Sequence, residues 1–200
     1  MLLKALILFA HPRLERSKIH AGLLRYLPNH PNIYLHDLYE EYPDFNIDIK
    51  REQALAEAHD IIVWQHPMYW YSVPPLLKQW LDMTLEPGWA YGPEGRALAG
   101  KKLLHVVSTG GSAEAYAKGG RNRFTIREFL APLEQTAHLC GMDYLPPYII
   151  FGSHHLDEES LHSYGSNLAW LLNLLISGAA DREGMKRFEY MNDWITQKKV

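Results

Sequence analysis

The sequence predicts an open α/β fold in which five parallel strands form one sheet with helices on both of its faces. Short apolar runs alternate with helix-like segments along most of the chain, the pattern of a parallel sheet covered on both sides. Three of the strand candidates also end in loops of unusual composition, at residues 10–20, 65–73 and 108–116. In a parallel sheet those three loops share one edge, where open α/β sheets bind ligands.

Each element has its own signal. Leu2–Phe9 is a continuous apolar run, as in a strand buried on both faces. Ser17–Leu27 reads as a helix, and Ile33–Leu38 as a second strand. Arg51–His59 is rich in Ala, Glu and Gln and predicts a helix. Ile61–Trp64 is a third buried strand. Pro74-Pro75 opens a helix through Leu85, because proline costs least at the first helical position. Leu103–Ser108 is the fourth strand and Phe124–Leu139 the next helix. Tyr144–Phe151 is the fifth strand, and Pro146-Pro147 near its start points to an edge position. Asp157–Ile176 is an amphipathic helix with Asp157, Glu158 and Glu159 in its first turn, where acids suit the helix dipole. Beyond Gly178 the chain turns polar, and Glu183–Gln197 reads as a short extra helix.

Composition narrows the function. Two hundred residues fit one domain. A formal charge of −3 with no Lys/Arg run argues against nucleic acid as a partner. The single cysteine, Cys140, admits no intrachain disulfide and reads as a buried thiol at a helix end. The apolar stretch Leu168–Ile176 is too short to span a bilayer, and Met1–Phe9 too short for a signal sequence. The expectation is a cytoplasmic protein, peripheral at the inner membrane at most. His154-His155 and His162 lack the Cys, Asp or Glu spacing that would complete a metal set, so no metal is expected. The His154-His155 pair reads better as a loop after the fifth strand, near a substrate mouth.

The first loop, Ala10-His11-Pro12-Arg13-Leu14-Glu15-Arg16-Ser17-Lys18-Ile19-His20, leads from a strand into a helix N-terminus, a place that suits a phosphate. It carries neither a Walker A pattern nor Gly-x-Gly-x-x-Gly, so ATP and a Rossmann-type NAD site are unsupported. Ser17 stands where a helix cap would, with its hydroxyl also in reach of a phosphate. The second loop, Gln65 to Pro75, contains Pro67, Met68, Tyr69, Trp70 and Tyr71 in succession. Such a loop suits the wall of a planar ring, or else core packing or a subunit interface. Trp89-Ala90-Tyr91-Gly92 is a second aromatic patch that completes the wall or faces a partner subunit. The third loop, Ser108-Thr109-Gly110-Gly111, lets backbone amides approach a ligand closely. Tyr116 follows five residues later and offers a phenol as proton donor. A phosphate on the first loop, a ring on the second and its polar edge on the third describe flavin mononucleotide (FMN) in a flavodoxin-like fold.

At these residues the chain resembles the flavin-dependent NAD(P)H:quinone reductases of the DT-diaphorase-like group, and among them the ancillary proteins of bacterial glutathione-regulated potassium-efflux systems. The matching stretches are Ala10-His11-Pro12, Tyr42 to Ile49, Ile61 to Asp82, Gly88 to Gly92 and Ser108 to Gly111. The resemblance implies a flavodoxin-like flavin-binding domain over residues 1–178 with a C-terminal extension at 179–200. It also implies a homodimer and ping-pong two-electron transfer from NAD(P)H to quinones, with FMN favoured over FAD. Carried over by position, His11, Ser17, Lys18, Ile19 and His20 hold the phosphate end. Pro67, Met68, Tyr69, Trp70 and Tyr71 line the ring, Ser108, Thr109, Gly110 and Gly111 bind its edge, and Tyr116 is the catalytic residue. Relatives place a histidine a few residues beyond that tyrosine, where this chain has Gly119-Gly120-Arg121-Asn122. The alternative the resemblance carries is a regulatory subunit docked on a potassium-efflux antiporter. A one-electron flavodoxin carrier fits less well, because the charge is near neutral and the first loop is not a small hydroxyl-rich one.

Overall fold

The computed structural model describes residues 2–199. Strands β1 (Ala5–Phe9), β2 (Ile33–Asp37), β3 (Ile61–Pro67), β4 (Lys102–Ser108), β5 (Asp143–Tyr144) and β6 (Tyr148–Ile150) form one parallel sheet. Its order is β2-β1-β3-β4-β5, with β6 also paired to β4. The expected fifth strand is thus two short pieces on the same neighbour: Asp143 and Tyr144 pair with Lys102 and Leu103, and Tyr148–Ile150 with Val106–Ser108. Pro146-Pro147 separates them, since neither proline has an N–H for the ladder.

Helices cover both faces. They are α1 (Lys18–Leu24), α2 (Leu38–Glu41), α3 (Ile49–Glu57), α4 (Pro75–Thr84), α5 (Ile126–Leu139), α6 (Glu158–Ser177), α7 (Arg182–Met185) and α8 (Met191–Lys199). Central β1 and β3 are buried along their whole length, which is why their sequences run apolar without alternation. One core layer joins Leu6, Leu8, Ile62 and Trp64 to Leu76, Leu77 and Trp80 of α4 and to Ile126 and Leu130 of α5. The other joins Ile7, Phe9, Val63 and Val106 to Leu23 of α1 and Leu168, Leu171 and Leu175 of α6.

Helix ends follow their local chemistry. Thr125 and Glu128 form a reciprocal capping box at the start of α5. Asp157 accepts from the Ser160 N–H at the start of α6, and Gly178, at φ 73°, ends that helix in the left-handed region. The single helix expected over Glu183–Gln197 is instead two, α7 and α8, with residues 186–190 between them. Met191, Trp194 and Ile195 of α8 are buried against the second layer. The Asn192 side-chain amide donates to Ile149 O and accepts from Ile149 N, both at 2.9 Å, along the outer side of β6.

Beneath the first layer sits a buried carboxylate. Glu52 accepts from Tyr42 Oη at 2.6 Å and Trp80 Nε1 at 2.7 Å, and lies 2.8 Å from His36 Nε2. These bonds hold its pKa below the ordinary carboxylate value although burial opposes them. They tie β2, α3 and α4 together under the Tyr42–Ile49 segment.

Candidate functional site

The carboxyl ends of β1, β3 and β4 bring the three loops onto one edge of the sheet. Ser108, the last residue of β4, joins them. Its carbonyl accepts from the Met68 N–H at 2.8 Å, and its hydroxyl is hydrogen-bonded to His20 Nε2 at 2.8 Å. The first and second loops meet directly, with the His11 and Tyr69 rings 6.3 Å apart edge to face.

The first loop makes a short turn at Leu14–Arg16 before α1 begins. Ser17 caps α1, accepting from the His20 N–H at 3.1 Å, which leaves its own O–H proton free to donate outward. Arg13, Arg16, Ser17, Lys18 and Ile19 line a cleft of about 360 Å³, closed on its far sides by Pro67, Tyr69, Ser108, Ser153 and His154. His11 borders it and is buried, with Nδ1 accepting from the Arg13 N–H at 3.1 Å. Burial lowers its pKa. His20 differs from its neighbours: its ring is fully buried beneath the cleft and points to Ser108, and desolvation holds it neutral, well below the usual histidine range. Its part in the cleft wall is therefore the placing of Ser108.

The second loop turns sharply. Tyr69 and Ser72 exchange two backbone hydrogen bonds, each at 3.0 Å, and Trp70 and Tyr71 take φ values of 48° and 64°. Left-handed backbone at two adjacent aromatic residues is costly and clusters at functional sites. Trp70 is 93% exposed, while Met68 and Tyr71 turn toward a smaller cavity of about 200 Å³ shared with Gly111, Tyr116, Arg121 and Asn122. Below the loop, His66 is fully buried and donates through Nδ1–H to the Pro67 carbonyl, 3.0 Å away. Desolvation lowers its pKa to about 4.

The third loop is pinned to the end of the sheet. Thr109 N donates to Ile150 O, and Ser153 N to Thr109 O. A side chain at Gly110 would come within 2.7 Å of His154 Nε2, and one at Gly111 within 3.0 Å of the Tyr116 ring. The two glycines are thus covered by titratable groups from different segments. Tyr116 is 8% exposed, and burial raises its pKa. Its ring is wedged between Phe129 and Phe151.

All the expected residues lie on this edge, with His154 beside them on the loop after β6. Sequence reasoning did not find Ser153. Trp89–Gly92 lies elsewhere: Tyr91 borders a separate groove with Leu81, Phe129 and Cys140, and Trp89 Nε1 donates to Glu57. The Cys140 thiol is buried, and its pKa is raised by desolvation.

The model of the flavodoxin-like fold matches residues 3–169. The chain belongs to that family. This flavodoxin-like chain is 42% identical over 176 residues to the glutathione-regulated potassium-efflux system ancillary protein KefG of Salmonella paratyphi B, a match covering 88% of this chain and 96% of KefG. It superposes with a TM-score of 0.77 and 41% identity on general stress protein 14 of Treponema denticola, solved in complex with FMN, over 86% of this chain and 99% of that one. An NADPH-quinone reductase from P. pentosaceus gives 0.74 and 34% identity over 82% and 96%.

Among the described residues of this flavodoxin-like protein, no helix is long and apolar enough to cross a membrane, and no group of three or more His, Cys, Asp or Glu is placed to hold a metal ion.

Proposed function

We propose that this chain is an FMN-dependent NAD(P)H:quinone oxidoreductase working by a ping-pong sequence. In balance, NAD(P)H, a proton and a quinone give NAD(P)⁺ and a quinol. The observation that carries the reading is the joining at Ser108 of a cationic cleft, a strained aromatic loop and a paired-glycine turn. The FMN complex of the Treponema denticola relative supports FMN over FAD, and the quinone reductase neighbour supports the acceptor class.

The donor set fits a flavin mononucleotide. Arg13, Arg16, Lys18 and the Ser17 hydroxyl converge where a phosphate is balanced by charge and by helix N–H groups. The backbone of Pro67–Tyr71 would line the ring, and the Gly110 and Gly111 amides of the Ser108–Gly111 turn would meet its polar edge, the Thr109 amide being bonded to Ile150 O. When bound, FMN would supply the two-electron hydride chemistry between nicotinamide and quinone. The chain's own part is orientation and charge: Gly110 and Gly111 let amides approach a developing negative charge, and Tyr116 holds a proton beside Gly111. The exposed Trp70 at the rim supports a homodimer, in which a second copy covers it.

An anaerobic titration of FMN-loaded protein with NADPH tests the reading. Loss of the flavin's visible absorbance, restored by a quinone, is the expected result. Persistence of the colour with both NADPH and NADH would reject the enzyme. The similarity to KefG over nearly its whole length favours a second reading, a regulatory subunit docked on a potassium-efflux antiporter at the inner membrane. Co-purification with an antiporter in the membrane fraction would support it.

A further inference from the structure

Tyr116 faces two spaces. On one side is the small cavity with Met68 and Tyr71; on the other is a groove of about 830 Å³. The far wall of that groove comes from Glu189, Tyr190 and Asp193, which lie beyond the residues matched by the family. Tyr190 meets Phe151 edge to face at 5.9 Å, Phe151 contacts Tyr116 at 6.3 Å, and Tyr116 contacts Phe129 at 6.1 Å. Phe129 stacks on Tyr71 at 4.8 Å. A continuous aromatic series therefore runs from the C-terminal segment to the ring-binding loop.

The groove is both aromatic and charged. Glu128, Glu189 and Asp193 border it against one cation, Lys118. Asp193 and Glu189 sit close enough that Glu189 raises the Asp193 pKa, adding to desolvation. Tyr116 is more than nine-tenths buried, and its hydroxyl has no hydrogen-bond partner among the described residues. Tyr116 lines both spaces, so an unpartnered phenol there is available to a ligand. The segment bearing the carboxylates is held firmly: Met191 N donates to Pro147 O at 2.9 Å, and Trp194 is buried.

We propose that residues 186–193 form one wall of the electron-acceptor subsite, and that Glu189 and Asp193 select acceptors by charge. Planar acceptors that are neutral or cationic enter and stack along the Phe151–Tyr116 series. Acceptors bearing a sulfonate or carboxylate are repelled by the two carboxylates at the groove wall. Arg121 lines the small cavity on the other side of Tyr116 and is not among the groove's lining residues. The inference rests on the proposed reductase reading, which makes Tyr116 face the reacting ring.

The test uses FMN-loaded full-length protein and a matched pair of probes, a naphthoquinone and its sulfonate. Binding of each is measured by ligand-detected NMR or calorimetry in the wild type, in E189Q/D193N and in E159Q/E183Q. The last pair makes the same charge change at positions that are also exposed but lie outside the groove. E189Q/D193N is expected to tighten sulfonate binding about fivefold and to leave the neutral quinone within about twofold, with the control pair unchanged. An unmoved ratio of the two affinities, an equal shift in the control, or failure of both quinones to bind overturns the inference. NADPH-dependent turnover is read separately. The expected binding shift without turnover would sink the reductase reading and, with it, the acceptor role, leaving only a charge-selective groove for planar ligands.

Discussion

His20 Nε2 and Ser108 Oγ lie 2.8 Å apart in a buried hydrogen bond that links the start of α1 to the end of β4 across 88 residues of sequence. The imidazole is held neutral by burial and has no partner at Nδ1 among the described residues. Ser108→Ala would leave both ring nitrogens unpaired. Such a loss costs about 1–3 kcal/mol, so the urea midpoint of the apoprotein should fall, with weaker FMN retention alongside. A variant as stable as the wild type would show that the bond adds nothing to the fold.

Arg13 and Arg16 carry charge toward the cleft without being buried by it. R13A/R16A should keep the fold and raise the FMN dissociation constant by about tenfold or more, an effect that shrinks as salt is added. Riboflavin, which lacks the phosphate, provides the comparison. Equal weakening for riboflavin and FMN would place the phosphate elsewhere.

Tyr116 contacts the paired-glycine turn through its ring, and its hydroxyl has no hydrogen-bond partner among the described residues. Tyr116→Phe preserves the ring, so flavin affinity should hold. Turnover should drop about tenfold or more if the phenol manages a proton. Measuring kcat and FMN affinity on the same preparation separates the two roles. Full turnover in the variant would remove the hydroxyl from the reaction.

Buried histidines make stability pH-dependent. His66 has its pKa held near 4 in the folded protein against an ordinary 6.5, so the unfolded chain binds the proton more readily. The stability is therefore complete above pH 6.5 and is lost as pH falls toward about 4. For His66 alone the loss amounts to about 3 kcal/mol. His20 and His105, also lowered by burial, act in the same direction. Urea unfolding across that window should show a steady decline, and a flat profile would contradict burial of neutral rings.

The three central strands were legible because a sheet covered on both faces demands apolar runs, and Leu6–Phe9, Ile61–Trp64 and Leu103–Val107, interrupted only by His105, supply them, whereas β2 is a partly exposed edge read from Ile33–Leu38. The fifth was legible only as a region. Pro146-Pro147 signalled an edge, but the break into two pieces depends on how each pairs with β4. The site's loops could be read from their residue types, since aromatic and glycine-rich strand ends are unusual. Their joining at Ser108 could not, because nothing local to Ser108 marks a partner at His20. The same holds for Glu52, whose partners His36, Tyr42 and Trp80 come from three elements. The short helix α2 escaped notice, although Asp37 before Leu38-Tyr39-Glu40-Glu41 is a capping signal.

Asn192 fills the place of a missing neighbour strand. Its amide meets the outward N–H and C=O of Ile149, so the open margin of the sheet offers no free pair at its centre. An uncovered margin is a template on which a second chain can grow as an extra strand. The C-terminal segment therefore blocks strand addition at the β6 margin, which leaves any pairing of two copies to other surfaces.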